Sequence, residues 1–146
     1  MRCSVVLLAA LLVASLNGPA WSYEARIDYM LKCRGCHTMQ GFSPERSRIP
    51  PLIDVVGYFT LLPDGRRYMV NVPGVVNAAL SAEETANVLN WVVATFARAS
   101  MPETFKPFDA AEVARWRKQS PDDPMQLRAK VQSELEVMGI SLGTYP

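Results

Sequence analysis

The sequence predicts an all-α protein, and three observations carry that prediction. Helix-opening signals recur along the chain: Ser81-Ala-Glu-Glu84, Asp109-Ala-Ala-Glu112 and Asp123-Pro124 each put a side-chain acceptor just ahead of a helix-compatible run. Apolar residues between these signals fall at helical spacing. No stretch shows strand alternation, and no internal repeat is present. At 146 residues the chain is sized for one domain with a single core. Its 49% hydrophobic and 20% charged content is ordinary for a globular protein once an N-terminal leader is allowed for.

Residues 1–22 read as that leader, a secretory signal peptide. Arg2 supplies the positive start, Val5 to Leu16 is apolar apart from Ser15, and Ala20-Trp21-Ser22 is a small-x-small cleavage site. The mature chain is expected to begin near Tyr23 and to be periplasmic or otherwise exported. The apolar run falls short of the about 20 residues of a membrane span, so a retained anchor is the lesser reading, and no strong membrane signal exists beyond the leader. Cys3 goes with the leader and leaves Cys33 and Cys36 as the mature cysteines. Lys plus Arg number 15 against 14 acids, close to neutrality, which makes no case for nucleic acid or an anionic membrane as partner. The half before residue 81 is slightly the more basic.

The first helix is expected over Tyr23 to Cys36, where Ala25, Ile27, Tyr29, Met30 and Leu31 have helix-compatible spacing and no breaker intervenes before Gly35. It ends in Cys33-Arg34-Gly35-Cys36-His37. Two cysteines separated by two residues, with histidine directly after, read as a c-type haem attachment site. Each thiol can add across one vinyl group, and the adjacent imidazole can bond the iron. Gly35 leaves the backbone free to pass close to a flat ligand. A redox dithiol would not need the histidine, and no βαβ pattern surrounds the pair. A zinc site needs four ligands, and the mature sequence offers no further Cys or His. Two free thiols in an oxidising compartment would tend to pair, whereas haem attachment consumes both.

Residues 38–49 are a polar loop broken by Gly41 and Pro44, followed by Pro50-Pro51-Leu52. A rigid carbonyl here can accept from the second nitrogen of His37, or the prolines simply stiffen the loop. Val55 to Leu62 is apolar, a short helix or a packed turn. Pro63-Asp64-Gly65 is expected to be a turn, and Arg66 to Val72 a helical stretch closed by Pro73-Gly74. The helix opened by Ser81 should run to about Ala99, its stripe of Val88, Leu89, Trp91, Val92 and Phe96 packing on the first helix. After Met101-Pro102, one short helix is expected from the Asp109 capping box through Trp116 to Lys118. A second is capped by Asp123, has Pro124 at its first position and stops at Gly139. Met125, Val131, Leu135 and Met138 are expected to line its apolar side, and the tail to pack on its own domain.

These pieces together resemble the class I c-type cytochromes: the short helix ending in Cys33-Arg-Gly-Cys36-His37, the Pro50-Pro51-Leu52 loop, and the Ser81-led helix with Trp91. The resemblance covers about residues 23–99 and implies one covalently attached haem c. It also implies that Tyr29 and Trp91 meet where the first and last helices cross, and that the Pro50 carbonyl holds His37. The expected organisation is a signal peptide at 1–22, a cytochrome c-like haem domain at 23–101 and a helical extension at 102–146.

The sixth iron ligand departs from the family pattern. A methionine usually stands in the loop before the last helix, and residues 73–80 contain none. His37 is the sole histidine, so a second histidine ligand from this chain is excluded. Met69 leads the candidates for metal ligand beside His37. Met101, in a Met-Pro pair, follows a helix of about 27 Å and reaches the iron only if that helix ends early. An open position, or a weak ligand such as Asn77, is the third option. Core filling is the bland role for either methionine.

The function implied is an exported monohaem cytochrome, an electron carrier rather than an enzyme, passing single electrons between redox proteins such as a dehydrogenase and an oxidase. Lys32, Arg34, Arg46, Arg48, Arg66 and Arg67 are candidates to ring the haem edge and meet an acidic partner. Two other classes stay open: a haem subunit fixed in a larger respiratory or dehydrogenase complex through its tail, and a haem protein whose open iron binds small ligands.

Overall fold

A computed structural model describes residues 22–44, 47 and 49–143. The signal peptide expected over 1–22 lies outside them except for Ser22, as do Arg46 and Arg48. Among the described residues six α-helices follow one another: α1 Ser22–Lys32, α2 Pro63–Asn71, α3 Pro73–Val76, α4 Ala82–Phe96, α5 Ala110–Lys118 and α6 Pro124–Val137. Short 3-10 turns stand at Tyr58–Leu61 and Arg98–Ser100, and no strand occurs among the described residues. The all-α expectation is met.

Helix α4 is the spine. Its start is fixed by the capping box read in the sequence: the Glu84 amide donates to Ser81 Oγ and the Ser81 amide to the Glu84 carboxylate. Val88, Leu89, Val92, Val93 and Phe96 are buried, with α1 packed on one side and α5 on another. The helix stops at Phe96 rather than near Ala99. Its last carbonyls have other donors there: the Asp54 amide bonds Phe96 O at 2.8 Å, and Ser100 bonds Ala97 O through both its amide and its hydroxyl.

Pro63-Asp64-Gly65 opens α2 instead of forming a turn. Proline suits the first helical position, and Asp64 complements the first turn. Gly65 is there for space, because a Cβ would strike the backbone of Phe59. Helix α2 ends at Asn71, just ahead of Pro73 as expected, and Pro73 begins α3.

The C-terminal helices share the same core as the rest. Phe108, Val113, Leu127, Val131 and Leu135 belong to one cluster with Tyr29, Val93 and Phe96. Helix α5 packs on α4 and α2, and α6 packs on α2, so the tail does pack on its own chain. Buried Asn90 of α4 clips the segment leading into α5, donating to Phe108 O at 2.9 Å and accepting from the Phe108 amide at 2.7 Å. The apolar face of α6 is Leu127, Val131 and Leu135, whereas Met125 and Met138 are exposed. The i, i+4, i+8 line through Val131 passes Leu127 and misses both methionines. Gly139, at φ +78, closes α6, with Ile140 N bonding Leu135 O and Gly139 N bonding Glu136 O.

Candidate functional site

The five-residue motif sits on the turn that ends α1. The helix gives way at Lys32, four residues before Cys36, and the amides of Cys33 and Arg34 both reach the Tyr29 carbonyl. The chain then folds back on itself, with the amides of Cys36 and His37 donating to Cys33 O at 3.1 and 2.9 Å. Both cysteines and the histidine are thus carried on one tight turn. Tyr29 fixes that turn from beneath, its fully buried ring in the core and its hydroxyl donating to Thr38 O at 2.8 Å.

The α1–α4 crossing expected from the resemblance is present. Tyr29 and Trp91 lie 4.9 Å apart between ring centroids, and Phe96 completes the group, edge-on to Trp91 at 5.5 Å. Gly41, at φ +79, presses its backbone on the Phe96 ring, where a Cβ would come within 2.7 Å of ring carbon. The loop after the motif is thereby held against the end of α4, and the Leu52 amide bonds Gly41 O at 2.8 Å.

Cys33 and Cys36 are both free thiols. Cys36 is exposed; Cys33 is half-buried, and burial, reinforced by the charges of Cys36 and Asp28, pushes its thiol up to about 11. Burial lowers the His37 pKa, which favours the neutral imidazole. Its Nδ1 is buried with no hydrogen-bond partner. The Pro50 carbonyl therefore does not hold His37 through Nδ1 as expected; nearby, the Leu52 and Ile53 amides both bond Gly41 O.

Beside the motif lies an apolar niche of about 10 Å³. Cys33 forms one wall, Val75, Ala78 and Leu80 a second, and Thr85, Val88 and Leu89 of α4 the third. Thr85, Val88 and Leu89 share a helical face, a pattern that the sequence contained and that only the fold connects to Cys33. Neither Met69 nor Met101 lines this niche. Met69 is buried in α2 at 6% exposure, and Met101 is a partly buried residue ending the Arg98–Ser100 turn. Asn77 is exposed.

The donor set fits a haem joined by thioethers: two unpaired thiols and an imidazole with one orphaned ring nitrogen, all on one turn. The space is closed. Ligand pockets run to about 300 Å³ or more, so a niche that barely admits one water would have to widen by parting its walls.

Of the basic ring expected around the motif, Lys32 and Arg34 are exposed, and Arg46 and Arg48 lie outside the described residues. Arg66 is committed elsewhere, paired with Glu112 at 2.7 Å, bonded to Lys106 O and lying 3.8 Å over the Phe108 ring. Arg67 donates to Gln119 O at 2.6 Å. Both hold the tail. Among the described residues no cluster of His, Cys, Asp and Glu could hold a bare metal ion, and no helix is long and apolar enough to cross a membrane. The comparisons with known proteins bring no match: no family model fits the chain, and no curated protein or solved structure resembles it significantly.

Proposed function

We propose that the chain is a monohaem c-type cytochrome, an exported carrier of single electrons between redox proteins. The observation that carries this reading is the turn after α1, which brings two free thiols and the half-buried His37 imidazole together. Bound haem would supply an iron that cycles between two oxidation states. Cys33 and Cys36 would anchor it from one turn, and His37, whose partial burial favours the unprotonated ring, would ligate the iron. Tyr29 and Trp91 keep the turn seated on the α1–α4 crossing. Exposed Lys32 and Arg34 adjoin the attachment point and suit a brief, salt-sensitive encounter with an acidic partner.

The direct test is the mass of the mature polypeptide made in a host that forms haem thioethers. One haem beyond the amino-acid mass is expected under denaturing conditions, and Cys33→Ala with Cys36→Ala should abolish it. A mature mass equal to the polypeptide alone sinks the reading. For the sixth ligand, Met69 leads and Met101 follows. Ferric and ferrous absorption spectra of Met69→Ala and Met101→Ala are expected to change in the first and not in the second, and unchanged spectra in both mean that neither methionine binds.

A further inference from the structure

The tail grips one particular stretch of the chain at both ends. Asn71, the last residue of α2, donates from its side-chain amide to Trp116 O at 3.1 Å. Nine residues on, Arg117 Nη2 donates to Leu80 O at 3.0 Å and to Thr85 Oγ1 at 2.8 Å. Between these two anchors runs the segment 73–80. It is lightly built: α3 is a single short helix, Gly74, Val76, Asn77 and Ala79 are exposed, and Ala79 sits at φ +56, a left-handed conformation that an alanine disfavours. Three of its residues, Val75, Ala78 and Leu80, line the niche together with Cys33.

We infer that segment 73–80 is a strap closing the niche over Cys33, and that Arg117 is the positioning residue that holds it shut. The ligand that it admits is a flat, apolar ring system that reaches the Cys33 sulfur. The inference rests on the proposed haem reading for the identity of the natural ring, although its geometry stands on this chain's own residues. Both acceptors of Arg117 belong to residues that line the niche, so loss of that guanidinium releases the strap at the end nearer to α4. The other tail contacts on α2, among them Arg66 with Glu112, Arg67 with Gln119 O and Lys130 with Asp64, lie outside the strap and leave its far end in place.

The test uses the haem-free full-length protein and N-(1-pyrenyl)maleimide, a flat apolar thiol reagent, with labelling read by peptide mass spectrometry. Cys36, already exposed, is the internal reference. Arg117→Met should raise Cys33 labelling relative to Cys36 about tenfold, the effect expected when a charged hydrogen bond no longer opposes local opening. Lys130→Ala, which removes a tail contact away from the strap, should leave the ratio unchanged. If Arg117→Met does not fold by circular dichroism, Thr85→Val decides, since it removes one acceptor while keeping the side chain's shape, and a smaller rise in the ratio is expected. An unchanged ratio in a folded variant overturns the inference, as does an equal rise with Lys130→Ala. Haem attachment is judged separately by the mass of the matured protein, so failure of one idea is not mistaken for failure of the other.

Discussion

Tyr29 does two jobs that can be separated. Its ring fills the α1–α4 crossing against Trp91 and Phe96, and its hydroxyl ties the motif turn to Thr38 O. Tyr29→Phe keeps the first and removes the second. The expected loss is about 1 kcal/mol in urea unfolding of the haem-free protein, the net worth of one hydrogen bond, with faster amide exchange confined to residues 33–42. An unaltered exchange pattern there means that the turn is held by its backbone bonds alone. The motif itself was legible in the sequence because its residue types and spacing are the signal. The partners of those residues were not. Cys33 shares its niche with Val75, Leu80 and Leu89, which return from 40 and more positions away, and no local pattern encodes that.

Helices α2 and α5 are joined by a charge network rather than by apolar contact alone. Glu112 is expected at the sequence level to close its own capping box, yet only half of the box forms: the Glu112 amide donates to Asp109, while its carboxylate turns to Arg66 and to the Trp116 indole. Burial by itself would raise the Glu112 pKa, but the hydrogen bonds from Arg66 and Trp116 and the Arg66 charge outweigh it and leave the carboxyl below its usual 4.5. A carboxylate lowered on folding stabilises fully above the unfolded value and loses that contribution as pH falls through the folded value. Glu112→Gln should therefore cost about 1–3 kcal/mol at pH 7. The gap between variant and wild type should narrow as the pH falls below about 4.5. Urea midpoints across that range check it, and a gap independent of pH would show that the pair contributes by shape rather than charge. The helix starts at Ser81, Asp109 and Asp123 were readable because caps are local. The start of α2 was misread because Pro-Asp-Gly suits a turn as well as a first helical turn, and only the nearness of Phe59 shows why Gly65 is needed.

The chain is built so that its last third completes its first two. Phe108, Val113, Leu127, Val131 and Leu135 are all buried, at roughly 1.5–3 kcal/mol apiece, against a total stability that is typically about 5–15 kcal/mol. A chain cut after Met101 is thus expected to lose cooperative urea unfolding and to bind a hydrophobic dye. A sharp transition in the truncated protein would mean that residues 23–101 stand as an independent domain. Composition and spacing were enough to see that the tail is helical and self-packed. They could not show that Asn90, a polar residue set in an apolar helix, is the clasp that receives it.

That clasp has a consequence for how the molecule comes into being. Asn90 is buried, and its amide is fully engaged only when Phe108 arrives to meet both its oxygen and its nitrogen. A nascent polypeptide that has emerged only as far as the spine leaves that side chain facing a greasy, half-made interior. Settling is postponed until nearly every residue has left the ribosome.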